Sequence, residues 1–262
     1  MLFLTTHTIW YAAILLLAPT TLIALAGPVV IRRFVPLERL RTNNEVAGFK
    51  FATIGVIYAV LLAFAVIVVW EKFNLAESGV AKEATAAATI IRLSQGIDPD
   101  HGAAIRKATL DYLTTAIERD WPAMEQGRLS ASATDALGKV YTALLKFHSF
   151  DASEGLVVAE ILRQVDRLSE ARRERLVAAE GVVPGIIWLV LFVGAFLTVG
   201  FTFFFGTENV RAQALMTAAL STMIFTGLLT IIAIDHPFAG TIKVGPEAVA
   251  GVVADFSATA AH

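Results

Sequence analysis

Four apolar stretches constrain this chain more than any other feature. Ile9–Ile31, Phe51–Trp70, Pro184–Gly206 and Ala212–Ile234 are each long enough to cross a bilayer as a helix, since about 20 apolar residues span roughly 30 Å of hydrocarbon. None of Phe51–Trp70, Pro184–Gly206 and Ala212–Ile234 carries a charged side chain. A polar segment, residues 71–183, separates the second stretch from the third. The pattern predicts an all-α membrane protein: a first transmembrane hairpin over 1–70, a soluble helical insert over 71–183, a second hairpin over 184–236 and a C-terminal tail over 237–262. Short links predict antiparallel neighbours within each hairpin. The lipid bilayer is therefore a partner, and function is to be sought in transport, conduction or signalling.

Composition narrows the classes further. Apolar residues make up 56% of the chain and charged residues 17%, as suits a membrane protein with one sizeable soluble part. A net charge of −2 gives no bias toward nucleic acid, and no phosphate-binding glycine loop or RNA-binding signature is present. The absence of cysteine removes thiol nucleophiles, disulfides and cysteine zinc sites. The N-terminus lacks the basic start of a secretory signal, so it reads as a retained first helix, kinked at Pro19 and Pro28.

The insert reads as helical throughout. Phe73, Ala76, Val80, Ala84, Ala87 and Ile91 continue the second membrane helix to about Gln95. Asp98-Pro99 predicts a capped start for a helix to about Arg119. Trp121-Pro122 and Gly127 predict a turn, followed by a helix over about 134–148. Asp151 with Glu154 predicts a capped start for a long helix to about Glu180, with Leu156, Leu162, Val165, Leu168 and Leu176 as its apolar positions. The tail is small, apolar and weakly patterned. Arginines flank both hairpins, so the positive-inside count is nearly tied and leaves the orientation open.

Asn43–Glu77 carries a family pattern: Gly55, the run Tyr58–Phe64 and Trp70-Glu71. Further matches are Trp121-Pro122, Arg172-Arg173, Trp188, and Pro237-Phe238 with Gly240. On these the chain resembles the bacterial bestrophin-like membrane proteins and, more distantly, the bestrophin anion channels. That resemblance implies an oligomer, pentameric in the bestrophin channels, conducting small inorganic ions through a pore lined by the second helix. It also implies a bacterial inner-membrane location with a cytoplasmic insert. Where the bestrophins carry an acidic calcium-binding run after Pro-Phe, this chain has Thr241, Ile242, Lys243 and Val244, so that ligand set is missing.

Candidate positions follow. Gly48, Ala52, Gly55, Ala59 and Ala63 recur at helical spacing as a close-packing seam. Thr53, Ile57, Val60, Phe64 and Ile67 form a second stripe: either an apolar constriction that lines a pore or a surface for lipid or bundle core. Lys50 near the start of the helix either attracts anions at an entrance or snorkels to headgroups. In the fourth stretch, Ala218, Thr222, Thr226 and Thr230 share a face, as a secondary polar path or as interhelical glue. Arg172, Arg173 and Arg175 read as a solvated charged face with Glu170 and Glu174, or as a headgroup site. Glu118 and Asp120 read as surface charge. His7, His101, His148, His236 and His262 are scattered, and Asp235-His236 lacks further ligands, so neither a metal site nor a cofactor is expected. No nucleophile elbow or triad pattern suggests an enzyme. The competing reading to a channel is a membrane-anchored sensor or scaffold whose insert binds a ligand or partner.

Overall fold

The computed structural model describes residues 9–146, 152–181 and 183–259. His7, His148, Asp151 and His262 lie outside these residues. Ten α-helices are described: α1 Ile9–Phe34, α2 Leu37–Thr42, α3 Asn44–Leu93, α4 Pro99–Thr115, α5 Trp121–Glu125, α6 Ala131–Leu145, α7 Ala152–Ala178, α8 Gly185–Thr202, α9 Val210–Ile234 and α10 Glu247–Thr259. No strand occurs among the described residues. Among the described residues, four helical segments are long and apolar enough to cross a membrane: Trp10–Phe34, Asn44–Gly96, Gly185–Thr202 and Val210–Ile234. The chain forms two compact units, residues 1–71 with 181–235, and residues 72–180 with 236–262. Helix α3 supplies its first part to one unit and its second part to the other.

In the first unit, α1 runs unbroken through Pro19 and Pro28. Its principal neighbour is α9 rather than α3, the next long helix in sequence. Small residues explain the choice. Ala24 on α1 and Ala218 and Ser221 on α9 are buried, and small side chains let membrane helices approach closely. The Oγ atoms of Thr21 and Thr222 lie 3.1 Å apart, and the Ser221 hydroxyl donates to the Thr20 carbonyl at 3.3 Å. Arg32, later on α1, reaches the Thr207 carbonyl, just before α9, so the two helices run antiparallel.

The loop between α8 and α9 is held by the segment between α1 and α3. The Asn44 amide donates to the Gly206 carbonyl at 2.7 Å, and the Gly206 N–H donates to Asn44 Oδ1 at 2.8 Å. A Cβ at Gly206 would stand 2.6 Å from the Arg41 backbone nitrogen, so only glycine permits this approach. Arg32 donates to the Thr207 carbonyl, and Arg41 pairs with Glu208 at 2.5 Å.

In the second unit, the fully buried Ala87, Ile90, Ile105, Leu113, Val140, Ile161, Val165 and Leu168 form one apolar core. Asp98 caps α4 by accepting from the Asp100 and His101 N–H groups, both at 3.1 Å, with Pro99 in the first turn. The His101 ring, with Nδ1 2.9 Å from Asp98 Oδ1, and then the His101 N–H hold the Asp98 carboxyl below its ordinary range.

One local expectation is corrected. Trp121-Pro122 is no turn. The chain stays helical through a π turn, Ala116–Asp120, where the Trp121 N–H reaches the Ala116 carbonyl. Pro122 then sits in the first turn of α5, where its missing N–H costs little. The reversal comes at Gly127, whose φ is 66°. The tail, too, is structured: Phe238, Val244 and Val249 are buried in the core of the second unit, and Arg92 lies over the Phe256 ring at 5.6 Å.

Candidate functional site

Helix α3 shows three distinct faces within the first unit. One packs on the chain's own helices. Tyr58 donates its hydroxyl to the Leu191 carbonyl at 3.1 Å, and its ring fills the space that a Cβ at Gly194 would occupy. Leu62 lies against Gly227, while Phe51 sits 6.1 Å from the Phe201 ring and 5.7 Å from the Phe205 ring. Ala65 and Val69 complete this buried line.

The second face is the small-residue seam. Ala52, Ala59 and Ala63 are exposed, and nothing lies within 4 Å of a Cβ built on Gly48 or Gly55. Among the described residues, nothing of the chain therefore fills the space beside Gly48 and Gly55. The third face carries the other stripe. Thr53 and Val60 are exposed, Ile57 is 57% exposed and Phe64 62%. Thr53 donates to the Phe49 carbonyl at 3.2 Å. Lys50 is also exposed. With 3.6 residues per turn, the seam lies about 100° to one side of Tyr58 and the stripe about 140° to the other. Ile57 additionally borders an apolar groove of about 320 Å³ between α3 and α8, lined also by Leu61, Val190 and Val193.

On α9, the Thr222 hydroxyl donates to the Ala218 carbonyl at 2.9 Å and Thr230 to the Thr226 carbonyl at 3.0 Å. Thr222, Thr226 and Thr230 are exposed, and Thr222 bridges to Thr21. Asp235 is buried and accepts the Val183 N–H at 2.9 Å, a capping role.

The second unit holds a charge network that the sequence reading placed on the surface. Arg175 is 0% exposed. Its Nε donates to Glu83 Oε2 at 2.6 Å, and its Nη2 reaches Glu83 Oε1 and Asp120 Oδ2, each at 3.1 Å. Arg172 grips the same Asp120 through Nε at 3.0 Å and Nη2 at 3.3 Å. Tyr112 donates to Glu83 at 2.5 Å, and the Arg175 guanidinium lies 4.3 Å from the Trp121 ring centroid. Burial alone would lower the Arg175 pKa, but the carboxylate of Glu83, with Tyr112 and Asp120 adding to it, drives it above the ordinary arginine value. Burial, reinforced by the Glu83 charge, pushes the Tyr112 phenol well up.

Arg172, Arg175 and Asp120 thus correct the surface reading, whereas Arg173, Glu170, Glu174 and Glu118 are exposed as expected. The signal lay in phase. Ile161, Val165, Leu168, Arg172 and Arg175 continue one helical stripe at spacing 4, 3, 4, 3. Leu156 and Leu162, assigned to the apolar face, are in fact exposed. The network reaches the tail through Trp121, which meets the Phe238 ring edge-on at 6.4 Å and donates Nε1–H to the Val244 carbonyl at 3.3 Å. Trp121, Arg172 and Phe238, three of the residues that carry the family resemblance, are gathered here.

A family model described as the bestrophin-like domain matches residues 18–249. The chain belongs to the bestrophin-like family. Its fold is that of crystal structures of a bacterial bestrophin homologue from Klebsiella pneumoniae. One point variant shares 13% identity over 94% of this chain and 99% of that chain, with a TM-score of 0.71. A second shares 14% identity over 98% and 99%, with a TM-score of 0.72. The structure of the same homologue obtained by zinc phasing covers 89% and 94%, with 14% identity and a TM-score of 0.67. No curated protein matches the sequence significantly. Family and apolar helices together make this bestrophin-like chain a membrane protein and support a channel-type reading.

Proposed function

We propose that copies of this chain form a ring around an anion-conducting pore in the bacterial inner membrane, with the insert on the cytoplasmic side. The observation that carries this reading is the division of α3 into three faces. A pore-lining helix in a ring needs one face for its own subunit, one for the next subunit and one for the axis. Tyr58, Leu62 and Phe51 occupy the first. The bare seam Gly48, Ala52, Gly55, Ala59 and Ala63 suits the second, because small residues let a neighbouring helix come close. Thr53, Ile57, Val60 and Phe64 suit the third, as a constriction narrow enough to dewet. Lys50, exposed near the start of the same helix, would favour anions at the entrance.

Chloride and potassium flux from liposomes containing purified protein tests the reading. Chloride flux above empty liposomes, raised several-fold by Phe64→Ala, is the expected result. Unchanged flux would remove Phe64 from the constriction. No flux from folded, oligomeric protein would favour the anchored sensor or scaffold.

A further inference from the structure

We propose that the groove between the second part of α3 and α7 binds a small zwitterion, a neutral α-amino acid, with its carboxylate on Arg167 and its ammonium on Glu170. The two helices run antiparallel in the second unit. Lys82 and Glu83 meet Glu174 and Arg175, while Gly96, just past α3, lies against Val157. Between these ends, small side chains leave the space open. Ala81, Ala86 and Ala171 border a cavity of about 480 Å³, within the range of small-molecule sites, about 300–1,000 Å³.

Four charged side chains line the cavity: Lys82, Arg167, Glu170 and Glu174. Two of them answer each other, with Lys82 Nζ 3.4 Å from Glu174 Oε2. The other two are open. Arg167 and Glu170 stand three residues apart on α7, the spacing at which Glu160 and Arg163 close an ion pair at 2.7 Å. Among the described residues, neither Arg167 nor Glu170 forms an ion pair. The nearby acids are committed elsewhere: Glu160 also accepts from Gln164 Nε2 at 2.6 Å, and Asp166 accepts from the Tyr141 hydroxyl at 2.9 Å.

The open pair sets the chemistry of the ligand. One cation and one acid sum to zero, so a bare anion satisfies Arg167 and leaves Glu170 repelling it, and a bare cation does the reverse. A molecule with one carboxylate and one ammonium satisfies both through charge-assisted hydrogen bonds. The planar guanidinium fork of Arg167 matches the carboxylate. A further charge on the ligand would find no open partner, and the buried Ala86 and Ala171 offer methyl groups to an uncharged side chain. Ser78 and Thr85 supply hydroxyl oxygens on the α3 side, the Thr85 proton going to the Ala81 carbonyl at 2.8 Å.

Isothermal titration calorimetry of the full chain in neutral detergent tests this with three probes: L-leucine, isocaproate, which lacks its ammonium, and isoamylamine, which lacks its carboxylate. Saturable binding of L-leucine, and of neither analogue, is the expected result. Arg167→Gln and Glu170→Gln should each weaken it by about tenfold or more, the loss of one charge-assisted contact. Arg173→Gln, exposed on the same helix outside the groove, should bind as the wild type does. Binding of either analogue as tight as that of L-leucine, or binding that survives both groove substitutions, would overturn the proposal. Failure of the folded wild type to bind L-leucine would also overturn it and leave the groove to a partner helix. The readout is binding rather than ion flux, so its outcome is separate from that of the pore.

Discussion

Arg175 lies face-on to Trp121, 4.3 Å from the ring centroid, while its own charge is answered by Glu83 and Asp120 with no exposure to solvent. A buried ion set of this kind is costly to assemble and more costly to break, because removing one member leaves the others charged in a low dielectric.

Arg175→Met should therefore destabilise the protein by about 3–5 kcal/mol, the range for orphaned buried charges. Arg173→Met, exposed on the same helix, should stay within about 0.5 kcal/mol. Chemical unfolding in detergent, followed by tryptophan fluorescence, compares the two. Equal losses would mean that the network contributes no more than surface charge.

Alkaline pH should loosen the same region. The folded Tyr112 pKa lies well above the ordinary 10.0. Below pH 10 both folded and unfolded phenols keep their proton, so the contribution is fully present. As pH rises through 10 the unfolded phenol ionises first, and stability is lost toward the folded value. Stability of the wild type should fall more steeply with pH above 10 than that of Tyr112→Phe, by up to about 1.4 kcal/mol per pH unit. Melting curves between pH 9 and 11 give both slopes, and parallel slopes would refute the assignment.

Asn44 and Gly206 should behave as one unit. Asn44→Ala leaves both Gly206 backbone groups without their partner, at a cost of about 1–3 kcal/mol. Gly206→Ala forces a Cβ against the Arg41 backbone and should separate the same pair. The double variant should then cost clearly less than the sum of the single ones. Additive losses, measured by thermal unfolding, would show that the two contacts act separately.

Much of the architecture was legible because hydrophobic length and spacing are local properties. The four apolar stretches, the continuation of α3 beyond Trp70 and the Asp98 cap all follow from residues close in sequence. Other features depended on distant partners. That Arg172 and Arg175 are buried required Glu83 and Asp120 to be recognised as acids in phase with buried faces on other helices. The fate of the tail depended on Trp121, which receives Phe238 and Val244 across more than a hundred positions of chain. The two stripes on α3 were visible as spacing, but the face that packs within the chain was marked only by Tyr58 meeting Gly194 and Leu62 meeting Gly227, pairs with no local signature.

The π turn at Ala116–Asp120 acts as a phase shifter. It places one more residue in the turn than an α-helix would hold, so everything after it is rotated by about 100° relative to the helix before it. That offset brings Asp120 to the arginines and Trp121 beneath Arg175 on the same side as Tyr112. Were the same residues to close an α-helical ladder instead, the acid and the indole would swing out of alignment. In this stretch the hydrogen-bonding pattern of the backbone counts as much as the identity of its side chains.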